Sequence, residues 1–446
     1  MDRQLRILYI SHYFPPEVNA PAVRVSEMAE RWAQQGADVT VLTSFPNHPS
    51  GIIPKKYRGY KRLVEVWNNV RIVRTYVYAA PNSGFVRRIS NFLSFMLSSI
   101  TLGFRLVGNP DVIIATSPQF FVAVAGYILS RLKRCKFIFE VRDVWPEEIV
   151  AVGAMRNRIA IKILEAIEVF LYKKADLIVT VARGTIDLLA KRGIPPSKMI
   201  LAPNGVNISL FESASGRVSI RRKLGKPDDF LVGYIGTHGM AHRLDIVLEA
   251  AEILRGMPGI TFLFVGDGAE KSNLMLRAKD LRLPNVIFHD QIDRVDVPDY
   301  YKACDVCLVP LREADLFTKN IPSKIYEIMA AAKPIIFSTE GESRSLIESA
   351  GAGLAARPED AGDLAEKIMI LHNDRGLCRN LGESGYSFAL ANCSRARLAD
   401  QYFEILQATI SGEGVFSPAK QKGGFSENIN MPHEYAGESA EAETKR

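Results

Sequence analysis

The sequence has little cysteine and few tryptophans, and it lacks the long uninterrupted apolar segment that a membrane-spanning helix needs. Its five cysteines are spread irregularly over 446 residues, which excludes a disulfide-stapled secreted scaffold and favours a reducing compartment. No apolar segment with a cleavage pattern opens the chain, so no signal peptide is predicted. A composition of 47% hydrophobic and 24% charged residues excludes collagen-like and wholly disordered proteins.

Charge is distributed unevenly along the chain. Residues 1–200 hold 28 Lys+Arg against 15 Asp+Glu, whereas residues 201–446 hold 28 against 34. A basic half favours an anionic membrane, nucleic acid or a phosphorylated substrate as partner, with a solvated surface as the alternative. Residues 89–107 follow Arg87 and Arg88 and are apolar but contain several polar side chains. We predict a buried or interfacial helix there rather than a transmembrane span.

Strands rich in Ile and Val alternate with helices in two series, separated by a polar stretch at 207–229 that we interpret as a linker. The alternation predicts an α/β fold with two doubly wound, Rossmann-like parallel sheets that face a common cleft. The predicted domains are an acceptor-binding, membrane-facing domain at 1–206 and a nucleotide-sugar donor domain at 207–393. The last helix, 394–410, is a candidate to pack back on the first domain, and 411–446 is predicted to be disordered.

The segment IPSKIYEIMAAAKPIIFS, residues 321–338, has the strongest chemical signature. Ser323 is a predicted N-cap of a helix whose amino end, together with the Lys324 charge, suits a pyrophosphate. One turn later, the Glu327 carboxylate suits two ribose hydroxyls. The alternative is an ordinary amphipathic helix with a solvated glutamate.

This segment resembles the E-A-M-A-x-G-x-P signature of retaining GT-B glycosyltransferases of the family 4 type. Its P-S-K-x-[YF]-E form resembles the branch that builds bacterial capsule, O-antigen and colanic acid, including the WbuB-like transferases of N-acetyl-L-fucosamine. Five further matches occur earlier in this sequence, in the same order as in the family. They are FPPE (14–17), PNGVN (203–207), YIG (234–236), VGDG (265–268) and YYKACDVCLVPL (300–311), and the resemblance covers roughly residues 5–410.

The resemblance implies a donor site in the second domain in which Glu327 binds the nucleotide ribose. Lys319 stands where the family has another glutamate, so Glu313 or Asp315 are candidates for that contact. Thr237 and His242 stand where the family has Arg and Lys for the pyrophosphate. The implied donor-binding residues are Gly236, His242, Arg243, Gln291, Ile292, Lys319, Pro322, Ser323, Lys324 and Glu327.

The first domain is expected to hold the acceptor. Asp143, in VRDVWPEE at a strand end, matches the position of a catalytic His or Asp and is expected to orient the acceptor hydroxyl, with Glu147 as its rival. Capping of the following helix is the alternative for Asp143. Arg24 is a candidate anion contact because the first loop has Asn19-Ala20-Pro21 instead of the family's two glycines; an exposed helix-start residue is the alternative.

Together these features predict a glycosyltransferase that acts with retention on a nucleotide diphosphate sugar, preferably UDP-linked. The implied acceptor is a polyprenyl diphosphate-linked saccharide at the anionic inner face of the cell membrane. No metal, cofactor or nucleic acid is implied, and Cys304-x-x-Cys307 is interpreted as a pair of core cysteines. Alternatives are a hydrolysing UDP-N-acetylglucosamine 2-epimerase and a non-catalytic nucleotide-sugar-binding partner, whereas Gly266-Asp267-Gly268 is too short a glycine motif for a dehydrogenase.

Overall fold

The computed structural model describes residues 4–80, 85–145, 147, 157–313, 317–319 and 321–412. Asp315 and most of the segment 411–446, which were singled out above, lie outside these ranges. Within them, no helix combines the length and the apolar character that crossing a bilayer requires.

The first domain is built on an eight-stranded sheet in the order β3-β4-β2-β1-β5-β6-β7-β8. All neighbouring strands are parallel except β3 and β4, which form an antiparallel edge. The strands are β1 Arg6–Ile10, β2 Asp38–Ser44, β3 Arg62–Trp67, β4 Val70–Thr75, β5 Val112–Thr116, β6 Lys136–Val141, β7 Leu177–Thr180 and β8 Met199–Leu201. The helices are α1 Ala20–Gln34, α2 Phe85–Ser98, α3 Phe120–Lys133, α4 Arg158–Lys174 and α5 Arg183–Lys191.

The second domain has a six-stranded parallel sheet in the order β11-β10-β9-β12-β13-β14. Its strands are β9 Phe230–Ile235, β10 Ile260–Val265, β11 Val286–His289, β12 Val306–Pro310, β13 Ile335–Ser338 and β14 Gly353–Ala355. Its helices are α6 Ile208–Glu212, α7 Arg217–Lys223, α8 Leu244–Ile253, α9 Lys271–Asp280, α10 Val297–Ala303, α11 Lys324–Ala330, α12 Glu342–Ser349, α13 Ala361–Asn373 and α14 Arg375–Asn392. This strand order reverses direction between β9 and β12, and ligands bind outside the strand ends at such a point.

Both sheets are covered by helices on their two faces, which confirms the predicted α/β class with two Rossmann-like domains. Each face carries its own apolar core. The prediction of a linker at 207–229 is wrong over most of its length. The segment forms α6 and α7, and Phe211 and Ile220 are buried in the core of the second domain.

The last helix, α15 (Arg395–Ser411), belongs to the first domain in space. It lies along α1, where the Trp32 indole donates a hydrogen bond to the Ala399 carbonyl at 2.9 Å. Tyr402 and Leu406 are fully buried in the core that covers this face of the first sheet. The chain therefore passes between the domains twice.

The two passages run side by side. The backbone N–H of Val206 donates to the Cys393 carbonyl, and that of Arg395 donates to the Val206 carbonyl. Gly205 has φ +58°, and a Cβ added to it would lie 2.5 Å from Leu398 Cδ1 and 2.8 Å from the Cys393 oxygen. The glycine of the PNGVN motif is therefore required by the close approach of the two passages.

Candidate active site

A cleft of about 450 Å³ lies between the domains, at the carboxyl ends of both parallel sheets. Pro118 and Asp143 line it from the first domain, and Gly236, Lys324 and Glu327 line it from the second. Enclosed clefts at the reversal point of doubly wound sheets are the usual place for nucleotide ligands.

Two glycines shape the second domain's wall of the cleft. Gly236 follows β9 and Gly266 follows β10, with φ of +140° and +138°. A Cβ on Gly266 would lie 2.1 Å from the Gly236 oxygen, so no side chain fits there. The close approach of the two turns therefore requires a glycine at 266, and both glycines line the cleft.

Helix α11 begins at the cleft and supplies Lys324 and Glu327. The prediction that Ser323 caps this helix is wrong, because its backbone is itself helical (φ −59°, ψ −24°) and its side chain makes no capping hydrogen bond. The helix is also short, with seven residues. Positive charge at this end of the cleft must therefore come from side chains more than from the helix terminus.

Lys324 supplies that charge. Its Nζ lies 3.7 Å from the centre of the Tyr234 ring and is buried without a hydrogen-bond partner among the described residues. Burial lowers the pKa of this ammonium to about 7. An ammonium held against an aromatic face, with its own donors unused, is suited to accept an anionic ligand.

Two histidines lie beside Lys324. Burial, aided by Lys271 and Lys324, lowers the pKa of His238 to about 4, and burial and Lys324 lower that of His242 to about 3. His242 lines the cleft, and neither ring nitrogen of His238 has a hydrogen-bond partner among the described residues. Both imidazoles are neutral near pH 7.

Glu327 is held by an arginine that the sequence reasoning missed. Arg294 Nη1 lies 2.7 Å from Glu327 Oε1. The Nε and Nη2 atoms of Arg294 are buried and unpartnered within the described part of the chain. Arg294 follows the Gln291-Ile292 loop, and all three residues line the cleft. The sequence feature that could have identified Arg294 is its basic side chain, next to a loop already assigned to the donor.

The opposite wall carries Arg142 and Asp143, immediately after β6. The Ser117 hydroxyl oxygen accepts hydrogen bonds from the backbone N–H of Arg142 at 2.7 Å and of Asp143 at 3.1 Å. This fixes the turn that brings both side chains to the cleft. The sequence analysis identified Asp143 here but not Arg142.

Arg24 requires a correction. It lines the cleft, but its guanidinium donates to Glu140 and to the carbonyls of Ala202 and Pro203. Its side chain is almost completely buried. A guanidinium whose three nitrogens are all used in the interior cannot serve as an anion contact, so Arg24 braces the domain instead.

Four further candidates lie away from the cleft lining. Arg243 pairs with Asp245 and Glu359, and Glu147 pairs with Arg192. The Lys319 side chain packs beside Gly184, and Glu313 is exposed. The structure brings the other predicted residues together along the cleft: Gly236, His242, Gln291, Ile292, Pro322, Ser323, Lys324, Glu327 and Asp143.

The cysteine and metal interpretations can also be compared with the structure. Cys304 and Cys307 are free, buried thiols, as predicted for core cysteines. Across the residues that the structure describes, no three His, Cys, Asp or Glu side chains are grouped to hold a metal ion.

The architecture is that of the GT-B glycosyltransferases, with two Rossmann-like domains around a shared cleft. Both domains are similar to glycosyltransferase families: residues 19–205 match the glycosyl transferase 4-like domain and residues 217–388 match the glycosyl transferases group 1 family. The two matches meet at the passage between the domains.

Two curated relatives are similar over most of the chain, and a third over less than half of it. The putative colanic acid biosynthesis glycosyl transferase WcaI of Escherichia coli K12 is 25% identical over 400 residues, which is 85% of this chain and 96% of WcaI. The probable glycosyltransferase WbjE of Pseudomonas aeruginosa is 24% identical over 69% of this chain and 79% of its own length. The putative teichuronic acid biosynthesis glycosyltransferase TuaH of Bacillus subtilis 168 is 27% identical over 45% of this chain and 49% of its own.

Solved structures support the fold. Sucrose-phosphate synthase from Thermosynechococcus elongatus superposes with a TM-score of 0.74 at 19% identity, over 92% of this chain and 100% of that one. HepE of Anabaena, in complex with UDP and glucose, superposes with a TM-score of 0.69 at 17% identity, over 91% of this chain and 100% of that one.

Proposed function

We propose that this glycosyltransferase moves a sugar from a UDP-linked donor, with retained anomeric configuration, to a lipid-linked saccharide during bacterial surface polysaccharide synthesis. The observation that carries the proposal is the pair Lys324 and Glu327, one turn apart on α11, which faces Asp143 across the cleft. A cation and a carboxylate at this spacing suit the diphosphate and the ribose of one nucleotide.

The donor lies on the second domain. Its diphosphate contacts the unpartnered Lys324 ammonium and the bare backbone after Gly236, which together offset the charge that develops on the leaving group. Glu327 Oε1 is engaged by Arg294, but a carboxylate has about four acceptor positions. Enough therefore remain for the ribose hydroxyls, while Gln291 and Ile292 adjoin the base.

The acceptor lies on the first domain, with its hydroxyl beside Asp143. In a retaining transfer without a covalent enzyme intermediate, the acceptor oxygen bonds to the anomeric carbon as the bond to the diphosphate breaks. The hydroxyl proton passes to the leaving phosphate oxygen on the same face. Asp143 orients that hydroxyl, and no metal ion is part of the mechanism that we propose.

We base the proposed sugar and acceptor on proteins that are similar to this chain. WcaI and TuaH are named for the synthesis of colanic acid and of teichuronic acid, and HepE was solved with UDP. The P-S-K-x-Y-E sequence at Pro322–Glu327 resembles that of WbuB-like enzymes. From this resemblance we propose an N-acetylated or deoxy hexose, such as N-acetyl-L-fucosamine, as the transferred sugar. The acceptor is a polyprenyl diphosphate-linked saccharide.

A lipid-linked acceptor requires the enzyme to reach a membrane surface. Helices α2, α3 and α4 lie side by side on the first domain. Leu97, Leu132 and Ile163 on these helices are 57%, 55% and 55% exposed, and Lys133 and Lys162 accompany them. Apolar side chains surrounded by lysines suit the anionic inner leaflet, so we propose peripheral attachment through this face.

The test is a thermal-shift panel of nucleotides and UDP-sugars, followed by a transfer assay with lipid-linked acceptors. A bound donor raises the unfolding temperature by mass action. We expect UDP and its sugars to do so, and we expect Asp143→Asn to bind UDP like the wild type but to lose turnover at least about a hundredfold. A free sugar formed without acceptor would indicate the epimerase-like reaction instead, and binding without any transfer would indicate a non-catalytic partner.

A further inference from the structure

Arg142 is a buried cation with unused hydrogen-bond donors in the wall of the cleft. The residue is 7% exposed, and its Nε and Nη1 atoms are buried with no hydrogen-bond partner in the described ranges. It lines the cavity next to Asp143. An unpaired guanidinium in such a position is costly, and arginine does not relieve the cost by losing its proton.

Among the described residues, no group accepts a hydrogen bond from Arg142 Nε or Nη1, although the Glu140 and Asp143 carboxylates act on the guanidinium through charge. Glu140 is the nearby buried carboxylate, but its Oε1 accepts hydrogen bonds from Tyr9 and Thr116 and its Oε2 accepts from Arg24. Burial, reinforced by the Arg24 guanidinium, lowers the pKa of Arg142. An oxyanion supplied from the cleft would therefore be favourable for both hydrogen bonding and charge.

The backbone around Arg142 is fixed rather than loose. Ser117 Oγ holds its N–H at 2.7 Å, and Val141 before it is the last residue of a central strand. Two of its three guanidinium nitrogens, Nε and Nη1, remain without a hydrogen-bond partner in the part of the chain that the structure describes. A side chain held in this way is preorganised for a ligand, because folding has already ordered its backbone and binding therefore loses little conformational entropy.

The position in the cleft indicates which ligand it is. In the proposed function the donor diphosphate contacts Lys324, which belongs to the second domain, whereas Arg142 belongs to the first and adjoins the residue that orients the acceptor hydroxyl. We infer that Arg142 binds an oxyanion of the acceptor, a phosphate or a carboxylate within about one sugar ring of the reacting hydroxyl. The inference rests on the proposed function and narrows the acceptor class to saccharides with a negative charge next to the site of transfer.

The two sources of this oxyanion differ in what they imply. A phosphate belongs to the carrier lipid, so the enzyme would add a sugar directly to a carrier-linked monosaccharide. A carboxylate belongs to an acidic sugar in the growing saccharide. Arginine recognises either through charge-assisted hydrogen bonds.

The test uses Arg142→Met, Arg142→Lys and, as a matched control, Arg105→Met at an exposed position of the same domain. Each protein is saturated with UDP and titrated calorimetrically with inorganic pyrophosphate and, separately, with glucuronate. We expect the wild type and R105M to bind one of these probes, R142M to bind it about tenfold more weakly or less, and R142K to recover part of the loss. The probe that responds identifies the source.

The affinity for UDP distinguishes binding of the acceptor by Arg142 from binding of the donor by Arg142. We expect R142M to change the UDP dissociation constant less than about twofold. A large loss of UDP affinity would assign Arg142 to the donor, and probe binding that ignores Arg142 would also overturn the inference. If the wild type binds no nucleotide, the proposed function fails. Whether Arg142 binds an oxyanion is still decided by comparing probe binding in R142M and in the wild type. Thermal melts of all variants verify that they fold.

Discussion

At the scale of single residues, the donor wall obtains its positive charge from an unexpected place in the chain. The family positions for Arg and Lys hold Thr237 and His242 here, and His242 is neutral near pH 7. Lys324, the first residue of α11, brings a buried ammonium to the same part of the cleft. In the proposed function, the charge needed for a diphosphate is thus provided by α11 and not by the turn after β9.

The first residue prediction concerns Glu327. If its carboxylate binds the ribose, Glu327→Gln removes charge-assisted hydrogen bonds and should weaken UDP binding by about tenfold or more. The loss should be far smaller for 2′-deoxy-UDP, because that nucleotide lacks one of the two hydroxyls. Calorimetric titration of both nucleotides measures this, with the exposed Glu340→Gln as control. An equal loss for both nucleotides would assign Glu327 to support of Arg294 alone.

The second residue prediction concerns the charge state of Lys324. Burial lowers its pKa from the usual 10.5 to about 7, so the free enzyme loses this charge as the pH rises through 7. A UDP-sugar has no titrating phosphate in this range and should therefore bind about tenfold more weakly at pH 8 than at pH 6. His238 and His242, with pKa values of about 4 and about 3, remain neutral throughout.

The variant Lys324→Met should bind a UDP-sugar weakly and with little dependence on pH, whereas Lys279→Met, at an exposed position of α9, should retain the wild-type profile. UDP-N-acetylglucosamine serves as the probe. A pH dependence that survives in K324M would show that another group sets it.

The sequence predicted the candidate site unevenly, for a physical reason. Residues next to strand ends, such as Asp143 and Gly236, reach the cleft because the topology of a parallel sheet brings those ends together. Arg243 was adjacent in sequence to a correct position, but pairing with Asp245 turns its guanidinium away. Side-chain pairing of this kind depends on tertiary neighbours that no local pattern contains.

At the scale of elements, buried strands have a clear signal in the sequence, whereas edge and surface elements have a weak one. Strands such as β5 and β10 are buried along their whole length and are continuous apolar runs. The edge strand β3 has the charged residues Arg62 and Glu65 among its apolar ones, and α14 carries glycines at 376, 382 and 385 that weaken its helical signal. Both form because neighbouring elements cover one of their faces.

Helix α15 provides a prediction at this scale, because it comes last in the described chain yet stabilises the first domain. Leu406 is fully buried in the core that contains α1 and Trp32. Leu406→Ala should lower the free energy of unfolding of the first domain by about 2–5 kcal/mol. The exposed Gln407→Ala should change it by less than about 0.5 kcal/mol.

Tryptophan fluorescence during urea unfolding isolates this domain, because the three tryptophans of the chain, Trp32, Trp67 and Trp145, all belong to it. If L406A and Q407A unfold at the same urea concentration, α15 is an accessory and not a part of the first domain's core.

At the scale of the whole molecule, the two domains are connected by more than the double passage at Gly205. The Glu342 carboxylate of α12 accepts hydrogen bonds from the backbone N–H groups of Arg183 and Gly184 at the start of α5. In the proposed function, this contact holds the cleft walls close enough for a donor on one domain and an acceptor on the other to react, with water excluded.

The proposed membrane attachment through the first domain leads to the prediction for the whole molecule. If the face formed by α2, α3 and α4 binds the inner leaflet, the enzyme should float with vesicles that contain phosphatidylglycerol and much less with vesicles of phosphatidylcholine alone. The electrostatic part should weaken as salt rises, because exposed charges are screened. The double variant Lys133→Gln, Lys162→Gln should remove most of that difference, and Leu132→Ser with Ile163→Ser should reduce flotation on both vesicles by removing apolar contact.

The matched control lies on the second domain, where Leu276 on α9 is 59% exposed. Leu276→Ser removes a comparable apolar side chain and should leave flotation unchanged, because α9 is not part of the proposed face. A loss of flotation in L276S as large as in the α3 and α4 variants would mean that exposed apolar residues bind lipid wherever they lie. Equal flotation of the wild type with both vesicles would contradict the electrostatic part. The basic excess of residues 1–200 would then be a feature of solubility and not of membrane attachment.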